Sequence, residues 1–301
     1  MSVNILAARS LPVETTVELN NGKQMPIVGL GTFRVTGGNN IYRCIEAALK
    51  TGYRLIDTAA VYNNEEDIGK ALAELLPKFN LKREDIFITS KLSPSDLRHD
   101  KVEKAVMTSC TKLGTSYLDL YLIHWPGAAG VPGTDSINAT LRSGVWAALT
   151  KLYQKNIVHA IGVSNYTVDH LKKLLSNDYG VKPAVNQVEI HPHYRQPELT
   201  AFCKEHNIYV QAYCSLGGSG QDALMKDPSV EAIARTLQRP AAQILLRWAL
   251  QNNLLIIPKS LSPDRIRSNI ELDFTIPEQE MKVLNNMSHQ HKYAWDPLTI
   301  L

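Results

Sequence analysis

The chain has 301 residues, of which 32 are basic and 29 acidic, giving a net charge of +3. That balance leaves no strongly basic surface for nucleic acid or for an anionic membrane. No apolar stretch approaches the ~20 residues needed to span a bilayer, and the 44% hydrophobic content suits a large soluble core.

The length alone would allow two domains, but single α/β barrels routinely reach this size. The amino-terminal MSVNILAARSLPVE has an apolar patch without a basic leader or a long apolar core, so a cytoplasmic location is expected. Cys44, Cys110, Cys203 and Cys214 are widely spaced. They read as reduced thiols, not as disulfides or a metal site.

In chain order, residues 16–25 carry two short alternating runs around Asn21-Gly22, a hairpin signal. The hairpin is expected to cap the bottom of a barrel. Strand-like PIVGLG (26–31) is followed by a helical pattern over 41–52 that ends in Gly. Strands are then expected at 55–57, 85–91, 117–124, 158–164, 184–189, 208–213 and 254–258. Helices are expected between them at 65–76, 100–113, 144–154, 167–175, 197–206, 229–237 and 241–251. A Gly/Pro/Ser-rich loop is expected over 126–143, and helices at 263–270 and 277–287 close the chain. Eight strand–helix pairs without a composition break favour one closed α/β barrel over residues 1–301, a (β/α)8 TIM barrel with an N-terminal β-hairpin and an extra C-terminal helix. The runner-up is an open doubly wound sheet. Its dinucleotide signature would be GxGxxG, and VGLGTFRVTGG approaches it only loosely, with Arg34 in the way.

The chemistry gathers at three successive strand ends. GYRLIDTAAVY places Asp57 at a strand tip and Tyr62 in the loop after it; ITSK ends in Lys91, and YLIHWP carries His124. A phenol is a poor acid at neutral pH. A nearby ammonium favours phenolate and lowers its pKa, and a buried carboxylate can hold that ammonium. His124 can orient a substrate oxygen by hydrogen bonding. Such a group suits proton transfer to or from an alcohol or carbonyl oxygen. The bland reading is a structural Asp57–Lys91 ion pair with Tyr62 and His124 as satisfied core polars, but it leaves the convergence of all four on strand tips to chance. No Ser or Cys sits in a nucleophile elbow.

GYRLIDTAAVYNNEEDIGKAL, FITSKL, SYLDLYLIHWP, AIGVSN, AVNQVEIHP, AQILLRWALQ and IIPKSLSPDRIRSNI, in this order and spacing, resemble the aldo-keto reductase superfamily over essentially the whole chain. The resemblance implies a (β/α)8 barrel, NADPH as hydride donor and reduction of small-molecule aldehydes or ketones. It puts Asp57, Tyr62, Lys91 and His124 on the family's catalytic tetrad. It implies that Ser164, Asn165 and Gln187 hold the cofactor carboxamide and that Tyr213 stacks on the nicotinamide. Ser215, Leu216 and Gly217 would lie along the pyrophosphate, and Thr32 would contact the cofactor near the substrate mouth. Lys259, Ser260 and Arg265 would grip the 2′-phosphate, with Asn269 at the adenine. Ser268, before that Asn, departs from the acidic or Gln residue often found there in the family.

By the same resemblance, Phe33, Trp125 and Trp295 would line the substrate mouth. The short tail after Met287 suggests an open pocket for small aldehydes, dicarbonyls or α-keto compounds, and a monomer is expected. Two alternatives stand beside this reading. Glu189-Ile190-His191-Pro192-His193 could bind a metal in a hydrolytic barrel, although the intervening Pro and the lack of a second ligand set weigh against it. A non-catalytic NADPH-binding or crystallin-like protein is the other. His159, His170, His206, His289 and His291 read as surface or capping residues.

Overall fold

The structure, a computed structural model, describes residues 15–177, 179–218 and 223–301. Residues 1–14 and residues 219–222, in the loop after Tyr213, lie outside the described residues.

Strands β1 (Thr16–Glu18) and β2 (Gln24–Pro26) form the expected antiparallel hairpin. Its turn is fastened to the chain just ahead of three later strands. Asn20 donates to the carbonyls of Pro183 and Asn207, and Asn21 to that of His159. The hairpin therefore lies across the amino-terminal ends of the barrel strands, opposite the end where the site residues emerge.

The barrel strands are β3 (Leu30–Gly31), β4 (Leu55–Asp57), β5 (Phe87–Leu92), β6 (Leu120–Ile123), β7 (Ile161–Ser164), β8 (Val185–Glu189), β9 (Tyr209–Tyr213) and β10 (Leu255–Ile256). Each pairs in parallel with the next, in chain order. A parallel bridge between Val28 and Ile256 joins the last strand to the approach of the first. Ile256 donates to Ile27 and receives from Gly29, while Gly31 donates to Pro258. The sheet thus closes into a (β/α)8 barrel, and this order excludes the doubly wound alternative. At the seam the backbones approach closely: a Cβ on Gly31 would lie 2.6 Å from the Ile257 carbonyl oxygen. Only glycine fits there.

The helices are α1 (Gly38–Lys50), α2 (Glu65–Lys78), α3 (Val102–Leu113), α4 (Ile137–Gln154), α5 (Val168–Leu175), α6 (Pro197–Glu205), α7 (Pro228–Leu237), α8 (Ala241–Gln251), α9 (Pro263–Ser268) and α10 (Glu278–Asn285). Helices cover one face of the sheet and barrel-filling side chains the other, so β5 and β6 are buried at every position. Helix α4 begins earlier than the Gly/Pro content of its loop suggests. The prolines and glycines of that loop stop at Gly133. Asp135 then caps the new helix by accepting from the Ile137 amide at 2.9 Å, and buried Asn138 ties it to Ala128 and Pro132. All four cysteines are free, and three are buried. Among the described residues, no helix is long and apolar enough to cross a membrane.

Candidate active site

The carboxyl ends of β4, β5 and β6 bring the expected residues together. Lys91 lies on β5 and is fully buried. Its Nζ meets Asp57 Oδ1 at 2.6 Å, the Thr58 carbonyl at 2.8 Å and Tyr62 Oη at 3.4 Å. An ammonium has three N–H donors, so this one is fully committed. The other oxygen of Asp57, Oδ2, accepts from Gln187 Nε2 at 2.7 Å. Such pairing offsets the cost of burying two opposite charges. Burial alone pushes the lysine's pKa down, but Asp57, and Tyr62 after it, outweigh that and hold the ammonium charged.

Tyr62 ends a single 3-10 turn, Ala60–Tyr62, that leaves β4. Its ring lies 5.1 Å from Phe33 and 5.6 Å, edge-on, from His124. Here the expectation from sequence is corrected. Burial raises the phenol's pKa, and the opposing pull of Lys91 only moderates the rise. The phenol accordingly keeps its proton throughout the physiological range. His124, just beyond β6, is driven the other way: burial first, then Lys91, lowers its pKa to about 3. Its imidazole is neutral, and Nδ1 is buried with no hydrogen-bond partner among the described residues.

Further round the mouth, Ser164 Oγ donates to the Gln187 carbonyl at 2.7 Å, and Asn165 Nδ2 donates to the His124 carbonyl at 3.0 Å. Tyr213, ending β9, donates to Asn165 Oδ1 at 2.7 Å. Asn165 holds this place in a left-handed conformation, φ 63°, which Asn tolerates better than most residues. Thr32 is buried, its hydroxyl bound to the Asp57 carbonyl at 2.8 Å.

A model of the "Aldo/keto reductase family" matches residues 27–288. Aldo-keto reductase family 1 member A1-A of Danio rerio is 40% identical over 296 residues, covering 92% of this chain and 91% of the relative. The glyoxal reductase of Bacillus subtilis is 39% identical over 290 residues, covering 96% and 98%. A solved structure of a Bombyx mori aldo-keto reductase in complex with NADP superposes with a TM-score of 0.85 at 33% identity, covering 94% and 96%.

The chain belongs to the aldo-keto reductase family.

In this aldo-keto reductase the loop after β10 and the start of α9 carry Lys259, Ser260 and Arg265. Lys259 and Arg265 are exposed and Ser260 is buried. Among the described residues neither cation has a carboxylate partner, whereas Arg267 next door pairs with Asp264 and Glu271. Two free cations beside a helix start form a receptive place for a phosphate. Asn269 is buried at the end of that helix. Of the residues expected at the substrate mouth, Phe33 and Trp295 are exposed and Trp125 half-buried.

The Glu189–His193 stretch does something other than bind metal. Glu189 Oε1 accepts from His191 Nε2 at 2.9 Å and from the Tyr293 amide at 2.6 Å. Oε2 accepts from Lys292 Nζ at 2.6 Å and from the Ala294 amide at 2.9 Å. Four donors saturate the carboxylate and leave no lone pair for a cation, so the hydrolytic alternative fails on geometry. His170 is a buried capping residue, bound to Thr167 and to the Ile300 carbonyl. Two buried residues of the site were not picked out from sequence. Asn64 binds Thr58 Oγ1, Thr32 O and Val35 O, joining the two loops that hold Tyr62 and Phe33. Gln211 accepts the second amide hydrogen of Gln187 at 2.7 Å. Asn64 was within reach as the second Asn after Tyr62; Gln211 carries no comparable signal.

The neutral state of His124 has a thermodynamic signature. Its folded pKa of about 3 lies below the ordinary 6.5, so the unfolded chain binds a proton that the folded chain refuses. This contribution is fully present above pH 6.5 and is lost as pH falls toward 3, at up to about 1.4 kcal/mol per pH unit. His170, lowered to about 4 by burial, acts in the same direction. Urea unfolding of wild type and His124→Gln across mildly acidic pH should show a shallower loss of stability in the variant. Equal slopes would mean that His124 titrates normally in the folded protein.

Proposed function

We propose that the chain is an NADPH-dependent reductase of small aldehydes and ketones, of the alcohol dehydrogenase (NADP+) type, with Tyr62 as general acid. The observation that carries this reading is the convergence of the buried Lys91 ammonium on Asp57 and Tyr62 Oη. When bound, the nicotinamide supplies the hydride. The protein's own task is then to bind and orient the carbonyl and to deliver one proton to its oxygen. Tyr62, kept protonated by burial, holds that proton at Oη. Lys91 makes the phenol a better acid than burial alone would allow, and Asp57 keeps Lys91 charged. His124 is neutral and its Nδ1 is sealed in the protein, so the substrate oxygen would meet Nε2 as a donor.

The cofactor's place is read from the same rim. Both amide hydrogens of Gln187 go to Asp57 and Gln211, leaving its Oε1 to accept from the carboxamide amide. Asn165 Oδ1 retains a lone pair beside its bond to Tyr213, and Ser164 fixes that corner. The Tyr213 ring would underlie the nicotinamide, as a flat ring suits a planar heterocycle. Ser215, Leu216 and Gly217 would follow the pyrophosphate, with Thr32 nearby. Lys259, Ser260 and Arg265 would hold the 2′-phosphate and Asn269 the adenine. Phe33, Trp125 and Trp295 would border the substrate, and their apolar rim favours small, weakly polar carbonyl compounds. We place the protein in the cytoplasm as a single-domain monomer, in keeping with its unpaired cysteines. A non-catalytic role would leave the gathering of a charged lysine, a protonated phenol and a neutral imidazole without a purpose.

Removal of a positioned proton donor forfeits typically ~10²–10⁴ in rate. Tyr62→Phe should lose turnover on that scale while its NADPH affinity, measured by fluorescence titration, stays near wild type. Retention of more than about a tenth of kcat would rule out Tyr62 as the acid.

Cofactor choice follows from the free cations. A charge-assisted hydrogen bond contributes roughly 1.5–3 kcal/mol, so Arg265→Ala should weaken NADPH by about 10- to 150-fold. NADH lacks the phosphate and should bind almost unchanged. Equal losses for both cofactors would assign Arg265 to loop support instead.

A further inference from the structure

The four-donor grip of Glu189 raises the question of what it holds. Glu189 is the last residue of β8, on the same face of the strand as Gln187. It binds the C-terminal tail through Lys292, Tyr293 and Ala294. Burial opposes ionisation, but His191, Lys292 and the Tyr293 amide together lower its pKa to about 2, so the grip is ionic at any physiological pH. The tail so fixed presents the Tyr293 ring to the connection between β9 and α7. There it packs closely against Gly217 and Gly218. A Cβ on Gly218 would stand 2.6 Å from ring atom Cδ1, and one on Gly217 3.1 Å from Cε2. No larger residue fits at Gly218 unless the ring moves. The other end of the same connection is tied to the ring's hydroxyl. Tyr293 Oη lies 3.0 Å from His193 Nδ1, and His193 Nε2 lies 3.0 Å from Asp227 Oδ2. Asp227 in turn caps α7 by accepting from the Ser229 amide at 2.8 Å.

We propose that Glu189 and Tyr293 are positioning residues for the cofactor: the tail, anchored on Glu189, braces the backbone of Gly217-Gly218 from outside and so holds the segment that follows the pyrophosphate in its binding shape. The proposal rests on the functional reading above, since Ser215–Gly217 must contact the cofactor for the brace to matter. It gives the Glu-x-His-x-His stretch its purpose. Glu189 anchors the tail, His191 orients Glu189, and His193 joins the ring to Asp227. The tail would thereby tune how long NADPH stays bound, separately from the proton-transfer group on the far side of the barrel mouth. Preorganising a loop in its bound shape removes an ordering cost from binding. The gain shows mainly in the dissociation rate.

The test is NADPH affinity by fluorescence titration and NADPH dissociation by stopped flow, on the full chain. Tyr293→Ala should raise the dissociation constant and the off-rate by about tenfold, and Glu189→Gln should move both in the same direction. Tyr293→Phe keeps the ring against the glycines and should restore most of the affinity. A merely structural role for the hydroxyl network would not show that rescue. Gly218→Ala, which disturbs the contact from the other side, should also weaken NADPH, and it serves if Tyr293→Ala does not fold. Affinity and off-rate within twofold of wild type in folded Tyr293→Ala, or in folded Gly218→Ala, would overturn the brace. Failure of the wild-type protein to bind NADPH would overturn the functional reading and the brace with it.

Discussion

A charged lysine inside a closed barrel is the constraint on which the site depends. Isolated, the Lys91 ammonium would lose its proton to escape burial. It stays charged because Asp57 faces it at 2.6 Å and the Thr58 carbonyl takes a second donor. The third donor reaches Tyr62. Much of the rim is arranged around this pair. Gln187 satisfies the free oxygen of Asp57, and Gln211 satisfies Gln187. Thr32 binds the Asp57 carbonyl, and Asn64 ties the Thr32 loop to Thr58.

Parallel register makes this arrangement possible. Asp57 pairs with Thr89, so Lys91, two residues further along, rises above Asp57 on its neighbouring strand. The same register places Ser164 beside Gln187, so the strand tips deliver polar groups in sequence around the mouth. The opposite end of the barrel carries none of this chemistry and is closed by the hairpin through Asn20 and Asn21. Stability and function thus occupy opposite ends, as the barrel architecture favours.

Much of this was legible in the residues. Short apolar runs ending in Asp57, Lys91 and His124 marked the strand tips, because buried parallel strands need continuous apolar sequence and release polar groups only where they end. Asn21-Gly22 marked the hairpin for the same kind of local reason. What could not be read was what depends on burial and on distant partners. Proximity to Lys91 suggested a lowered phenol pKa for Tyr62, but desolvation, which no spacing reveals, outweighs it. Glu189 and His191 have the spacing of metal ligands. His191 instead binds Glu189 itself, and the other partners of Glu189, Lys292 and Tyr293, lie more than a hundred residues away in the chain. The early start of α4 depended on the Asp135 cap and on Asn138 docking into its own loop, both weaker signals than the glycines and prolines before them.

The central claim is that Lys91 acts on Tyr62 as a charge, beyond filling space beside it. The most direct measurement is the pH dependence of kcat/KM for carbonyl reduction in wild type and Lys91→Met, a variant of similar length without the ammonium. Because Lys91 pulls the phenol's pKa down against burial, its loss should lower the rate at neutral pH by ~10²-fold or more and move the alkaline limb of the profile upward. The limb reports the coupled group as a whole, so the direction of its shift carries the result. A Lys91→Met profile that keeps both the wild-type rate and the wild-type limb would show that the ion pair only holds the barrel together.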